Sequence, residues 1–203
     1  SSRSPGRPSN FFRPLGPRTM RPAFKEWQAI VDALGAGAQT LLLRKGGIHE
    51  GRGGFHVSAD RFWLFPTRFH AQREKTKPAA HVHFNEASPD EAVTLSLFAE
   101  LVESAFVTDW PTVAALAPYH LWTDATVRER FEWSKPRGLH VLILRVHRLH
   151  ERLTLPLTPE MGGCKSWIEL PPDFDERPST PVLNDATFAA QLAELRQRIG
   201  AAQ

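Results

Sequence analysis

Residues 41–57 read LLLRKGGIHEGRGGFHV. A short apolar run brings Arg44 and Lys45 to the point where the chain leaves a core, and glycines follow at 46, 47, 51, 53 and 54. Glycine lets backbone N–H groups approach an anion closely, and Arg44, Lys45 and Arg52 supply charge, so the loop has the chemistry to hold phosphate. It is not the loop of a nucleoside triphosphatase. Gly46 to Gly51 keeps the G-x-x-x-x-G spacing, but Arg52 and Gly53 occupy the places where a lysine and a hydroxyl must reach phosphate and magnesium. A purely structural glycine-rich hairpin between two barrel strands is the alternative.

Aromatic residues interleave with basic ones in two further places. Phe55, Phe62, Trp63, Phe65 and Phe69 alternate with Arg61, Arg68 and His70, and Trp122, Phe131 and Trp133 with Arg128, Arg130 and Lys135. Nucleic-acid modules use such pairings, stacking bases on rings while cations hold phosphates. Most of the rings belong to a core, since each buries much apolar area, and one or two exposed ones suffice for a site. His81 and His83 alternate ahead of Glu86 and form a conceivable metal pair, but in a chain of nine histidines an H-x-H is unremarkable, and no metal or cofactor is assigned. Cys164 is the only cysteine; it reads as a buried or structural thiol, and Lys165-Ser166 matches no nucleophile signature.

Charge narrows the partner. The formal net charge is +3, yet residues 1–22 contain Arg3, Arg7, Arg13, Arg18 and Arg21 and no acid, which leaves the body at −2. Any nucleic-acid contact in the body therefore uses a local patch. Residues 44–73 carry six Lys/Arg against Glu50 and Asp60, and residues 128–152 carry seven against three glutamates. Residues 86–109 hold six acids and no Lys or Arg. No apolar run reaches the roughly 20 residues that cross a bilayer, and no signal-peptide core is present, so the expected location is cytoplasmic. One cysteine excludes an internal disulfide framework.

The elements that must position these residues follow from pattern. Residues 1–22, with five prolines, read as a basic disordered tail, with Met20 a candidate natural start, and residues 23–203 as a single globular domain. Phe24, Trp27, Ile30, Val31 and Leu34 recur at helical spacing up to Gly35 and Gly37. Residues 39–43, 61–65, 79–84 and 139–149 read as strands. Val93 to Val107 is open between a helix capped by Ser88-Pro89-Asp90-Glu91 and two strands broken near Phe98. Pro111 to Leu116 predicts a short helix, Thr123 caps another that turns Val127 and Phe131 to one side, and Phe188, Leu192, Leu195 and Ile199 stripe a last helix capped by Asn184 or Asp185.

With these segments in place, the chain resembles the prokaryotic domain of unknown function family 1802. The stretches that carry the resemblance are FKEWQAIVDALGAGAQTLLLRKGGIHEGRGGF, FWLFPTRFH, HLWTDATVRERFEW, HVLILRVHRL and MGGCKSWIEL followed by PVLND, from Phe24 to Asp185. The resemblance implies no established activity; members that occur with restriction-endonuclease-like domains suggest a restriction or modification role and such a partner. The order of elements is also similar to the PUA, ASCH and EVE barrels, which implies an α+β fold with a small, partly open mixed β-barrel, flanking helices and binding of RNA or extruded modified bases. The expected function is a nucleic-acid-binding module rather than a catalyst. Its expected contacts are Arg44, Lys45, Gly46, Gly47, Glu50, Arg52, Trp63, Phe65, Thr67, His70, Trp122, Arg130, Lys165 and Trp167. The alternatives are a metal-dependent nuclease or hydrolase using His70, Glu50, His81 and His83, and an accessory subunit that contacts a partner protein.

Overall fold

The computed structural model describes residues 20–45, 59–68, 72–83, 91–133, 136–171, 174 and 177–200. The chain opens with β1 (Pro22–Trp27) and α1 (Gln28–Gly35), followed by β2 (Leu41–Arg44) and β3 (Arg61–Thr67). Next come α2 (Gln72–Lys75), a 3-10 turn (Pro78–His83), β4 (Ala92–Val107), α3 (Trp110–Ala115) and α4 (Asp124–Glu132). The long β5 (Leu139–Pro156), short β6 (Trp167–Glu169) and β7 (Ser179–Pro181), and α5 (Asp185–Gly200) complete it. No described helix is long and apolar enough to cross a membrane.

The fold is mixed α+β. The strands make one seven-stranded sheet in the order β2-β5-β4-β3-β1-β6, with β7 on the same edge of β5 as β2. Its spine is the antiparallel β4–β5 ladder, bent by register shifts at Leu95/Leu97 and Leu101/Glu103. Bulges of this kind increase local twist and let a long sheet curl. Here the curl brings the two ends of the sheet together: Arg44, at the end of β2, donates through Nη2 to Ser166 Oγ, just before β6, at 2.5 Å. Side chains rather than a backbone ladder bridge this seam, so the barrel is partly open.

Alternation along each strand sorts side chains between two cores. Phe62 and Leu64 of β3 enter the larger core with Phe24, Leu41–Leu43, Trp122 and Val141–Leu144. Trp63 and Phe65 enter the smaller one with Met20, Ala23, Phe98 and Ile168. On β1, Phe24 faces the larger core and its neighbour Ala23 the smaller.

Several expectations are corrected. Phe24 and Trp27 lie on β1, and the helix begins only at Gln28, because β1 is held between β3 and β6 and that pairing outweighs a helical spacing of five residues. Gly37 does end α1, at φ +71, with Gly37 N–H donating to Leu34 O and Ala38 N–H to Ala33 O. Met20 to Pro22, assigned to the tail, are in the fold: Met20 is buried, Leu170 N–H donates to Arg21 O, and Pro22 pairs with Glu169. Val93 to Val107 is one strand, not two and not a helix; Ser88 to Asp90 of its expected cap lie outside the described residues. Pro78–His83 is a 3-10 turn where a strand was expected, so His81 and His83 are not an alternating pair. Proline starts that turn, and Ala80 N–H closes it on Lys77 O. The caps of α4 and α5 are as read: Thr123 Oγ1 accepts from Thr126 N–H and Asn184 Oδ1 from Thr187 N–H.

Candidate nucleic-acid interface

At the seam of the sheet lies a cleft of about 250 Å³. Trp27 reaches it from the end of β1, Leu43, Arg44 and Lys45 from the exit of β2, Lys75 from α2, and Cys164 and Ser166 from the approach to β6. Thr126, Glu129, Arg130 and Trp133 complete it from α4 and the residue beyond. These last four have the spacing i, i+3, i+4, i+7, one face of a helix, so a single turn-by-turn stripe lines one wall.

Arg130 docks that wall. Its guanidinium lies 4.8 Å from the Trp27 ring centre and 4.9 Å from that of Trp122, and Nη1 donates to Leu43 O at 3.2 Å. Burial lowers its pKa to about 10, with Glu26 opposing the shift and Arg44 adding to it. Arg44 lies over the Phe24 ring at 4.9 Å and within 3.5 Å of Glu26 Oε2. Glu26 shares the Phe24 face of β1, is 1% exposed, and accepts from Trp27 N–H through Oε1. Lys45 donates to Pro136 O at 2.8 Å and Gly138 O at 3.1 Å, tying the exit of β2 to the segment after α4, and burial lowers its pKa. Lys75 pairs with Glu129 at 3.0 Å. Trp133 is 61% exposed, an apolar ring open to solvent at the rim of a cationic cleft.

The structure thus brings together Arg44, Lys45 and Arg130 of the expected site, with Trp122 buried against the Arg130 guanidinium. Trp63, Phe65 and Trp122 are corrected as stacking residues: Trp63 and Trp122 are wholly buried and Phe65 is 2% exposed, leaving no ring face for a base. Trp63 instead donates to Met20 O at 2.6 Å and packs edge-on against Phe98 and Phe174. Thr67 donates to Glu26 O and borders a separate, more apolar cavity with Phe65, Val93 and Met161. Trp167 is half-buried, edge-on to Phe24 and Phe62 at 4.9 Å each, and Lys165 is exposed. Gly46, Gly47, Glu50, Arg52 and His70 lie outside the described residues. Cys164, expected to be buried, is exposed at the cleft. His81 Nε2 lies 3.0 Å from Arg73 O, and among the described residues no three His, Cys, Asp or Glu side chains gather as a metal site.

Sequence reasoning missed Trp27, Lys75, Glu129, Ser166 and Glu26 as members of this neighbourhood. The stripe Thr126-Glu129-Arg130-Trp133 was visible as helical spacing; Glu26 was hidden by the helical reading of its segment.

No curated protein sequence matches the chain. Among solved structures, the chain is similar to the ASCH protein of Zymomonas mobilis, at 14% identity and a TM-score of 0.41, covering 86% of this chain and 94% of that one. A serine-to-alanine mutant of the same protein matches at 15% identity and a TM-score of 0.40, covering 88% and 98%. These likenesses are too slight to carry an argument. The sequence itself places the chain more firmly: a family model matches residues 23–194, and the chain belongs to the family described as Domain of unknown function (DUF1802).

Proposed function

We propose that this chain is a nucleic-acid-binding module that receives an unpaired or extruded base in the cleft at the seam of its sheet. The observation that carries this reading is the union of one exposed ring, Trp133, with the cations Arg44, Lys45, Lys75 and Arg130 around a concave site. A nucleotide offers the π-face of its base and a phosphate, and an exposed indole beside guanidinium and ammonium groups complements both. Glu26 and Glu129 offset part of the charge, so the cleft is suited to one or two phosphates rather than to a long duplex. The narrower reading, a modified base in a restriction or modification setting with an endonuclease-like partner, is supported by the family resemblance alone.

A gel-shift panel of single-stranded RNA, single-stranded DNA, duplexes and duplexes with one modified or unpaired base, with and without divalent metal, tests the proposal. Binding is expected without metal, strongest where a base is unpaired. Uniform failure to bind any of these ligands would sink it.

A further inference from the structure

Glu26 Oε2 is buried and finds no hydrogen-bond donor among the described residues, although Arg44 lies 3.5 Å away. Buried polar atoms are nearly always hydrogen-bonded, and leaving an acceptor unsatisfied is costly, more so when it is charged. The carboxylate is acceptor-only, and its other oxygen already takes the Trp27 N–H. Arg44 does not supply the missing donor: its aligned hydrogen bond goes to Ser166, across the seam, and its contact with Glu26 is the looser of the two. Behind the cation that lines the cleft there is therefore a carboxylate oxygen short of one N–H.

We infer that Glu26 reads the base: the cleft takes a base bearing an exocyclic amino group, whose N–H completes Glu26 Oε2 when the Arg44 guanidinium turns aside toward phosphate. This rests on the reading of the cleft as a base site and deepens it. Cytosine and uracil make the distinction sharp. At position 4 cytosine carries an amino donor, which carboxylates accept, whereas uracil carries a carbonyl oxygen that would face the negative charge. Arg130, fixed between Trp27 and Trp122, keeps a positive charge near Glu26 when Arg44 leaves.

The test uses oligocytidine and oligouridine of equal length, which share backbone and charge, titrated into the full chain by fluorescence anisotropy. Oligocytidine should bind about tenfold more tightly or better, a typical worth for one specific base contact. Glu26→Gln, whose amide can donate as well as accept, should abolish or reverse the preference while keeping the salt dependence. If that variant does not fold, Glu26→Asp, which withdraws the carboxylate by one methylene, must shrink the ratio. Equal binding of the two oligomers by the native chain overturns this inference and leaves the base site standing. A preference that survives Glu26→Gln and Glu26→Asp also overturns it, as does no binding of either oligomer, which leaves the base site to stand or fall with the wider gel-shift panel.

Discussion

Trp63 and Trp133 have opposite surroundings, and the contrast is measurable. Trp63 fills the smaller core and donates to Met20 O, so Trp63→Ala should cost about 3–5 kcal/mol in a urea melt. Trp133 is mostly in solvent, so Trp133→Ala should change stability by no more than about 0.5 kcal/mol. If a base stacks on it, the same change should weaken binding by about 1–3 kcal/mol in an anisotropy titration. Unchanged affinity would remove Trp133 from the interface. The sequence did not separate these rings, because β3 is apolar on both faces and neither carries a polar mark of what it meets. His120 gives a prediction in pH. It is buried, and desolvation, aided by Lys77 and Arg130, lowers its pKa to about 3. Between pH 6.5 and about 3 the unfolded chain binds a proton there that the folded chain refuses, so this contribution to stability is full above pH 6.5 and lost as pH falls through that window. Melting temperatures at pH 7 and pH 4.5 should differ less in His120→Gln than in the native chain. An identical difference would assign the acid sensitivity to other groups.

At the level of elements, what pairing decides was the least legible. Phe24 and Trp27 fit a helical stripe as well as Ile30 and Leu34 do, and only the neighbours of β1, which come from residues 61–67 and 167–169, make the first half a strand. The long β4 shows the same limit, since its partner β5 lies more than thirty residues on, and its bulges break the alternation that would mark one strand. Local signals were read well: the Thr123 and Asn184 caps and the Gly37 stop each depend on a few neighbouring atoms. The pairing of β1 also changes what the N-terminus should do. A chain starting at Met20 keeps the Met20 O acceptor for Trp63, the Arg21–Leu170 bond and the Pro22–Glu169 pairing. One starting at Ala23 loses all three together with a buried methionine, and should be about 2 kcal/mol or more less stable. Equal melting curves for the two truncations would mean that residues 20–22 and their contacts to β6 and Trp63 contribute nothing to stability. Lys45 belongs to this scale too: its bonds to Pro136 O and Gly138 O make it a tie between β2 and the segment after α4, so Lys45→Gln is not a silent surface change.

For the whole molecule, charge is divided between two places that salt can tell apart. Residues 1–19 contain four of the five N-terminal arginines and no acid, whereas the body is net negative and sets Arg44, Lys45, Lys75 and Arg130 around the cleft. Each phosphate neutralised by a cation adds about 0.7 to the slope of log affinity against log salt on a single strand, whatever the base. On this reading the N-terminal arginines contribute to that sequence-independent part, as phosphate contacts do. Removing residues 1–19 should therefore flatten the salt slope by up to about 3 and weaken binding at low salt, while the ratio between oligocytidine and oligouridine stays as it was. Lys75→Gln should act on a smaller scale, flattening the slope by about 0.7 at most, since Lys75 already shares its charge with Glu129. Anisotropy titrations at several salt concentrations on the full chain, the chain from Met20 and Lys75→Gln separate the two contributions. A truncated chain that loses base preference along with salt dependence would place base recognition in residues 1–19 and take it away from the cleft.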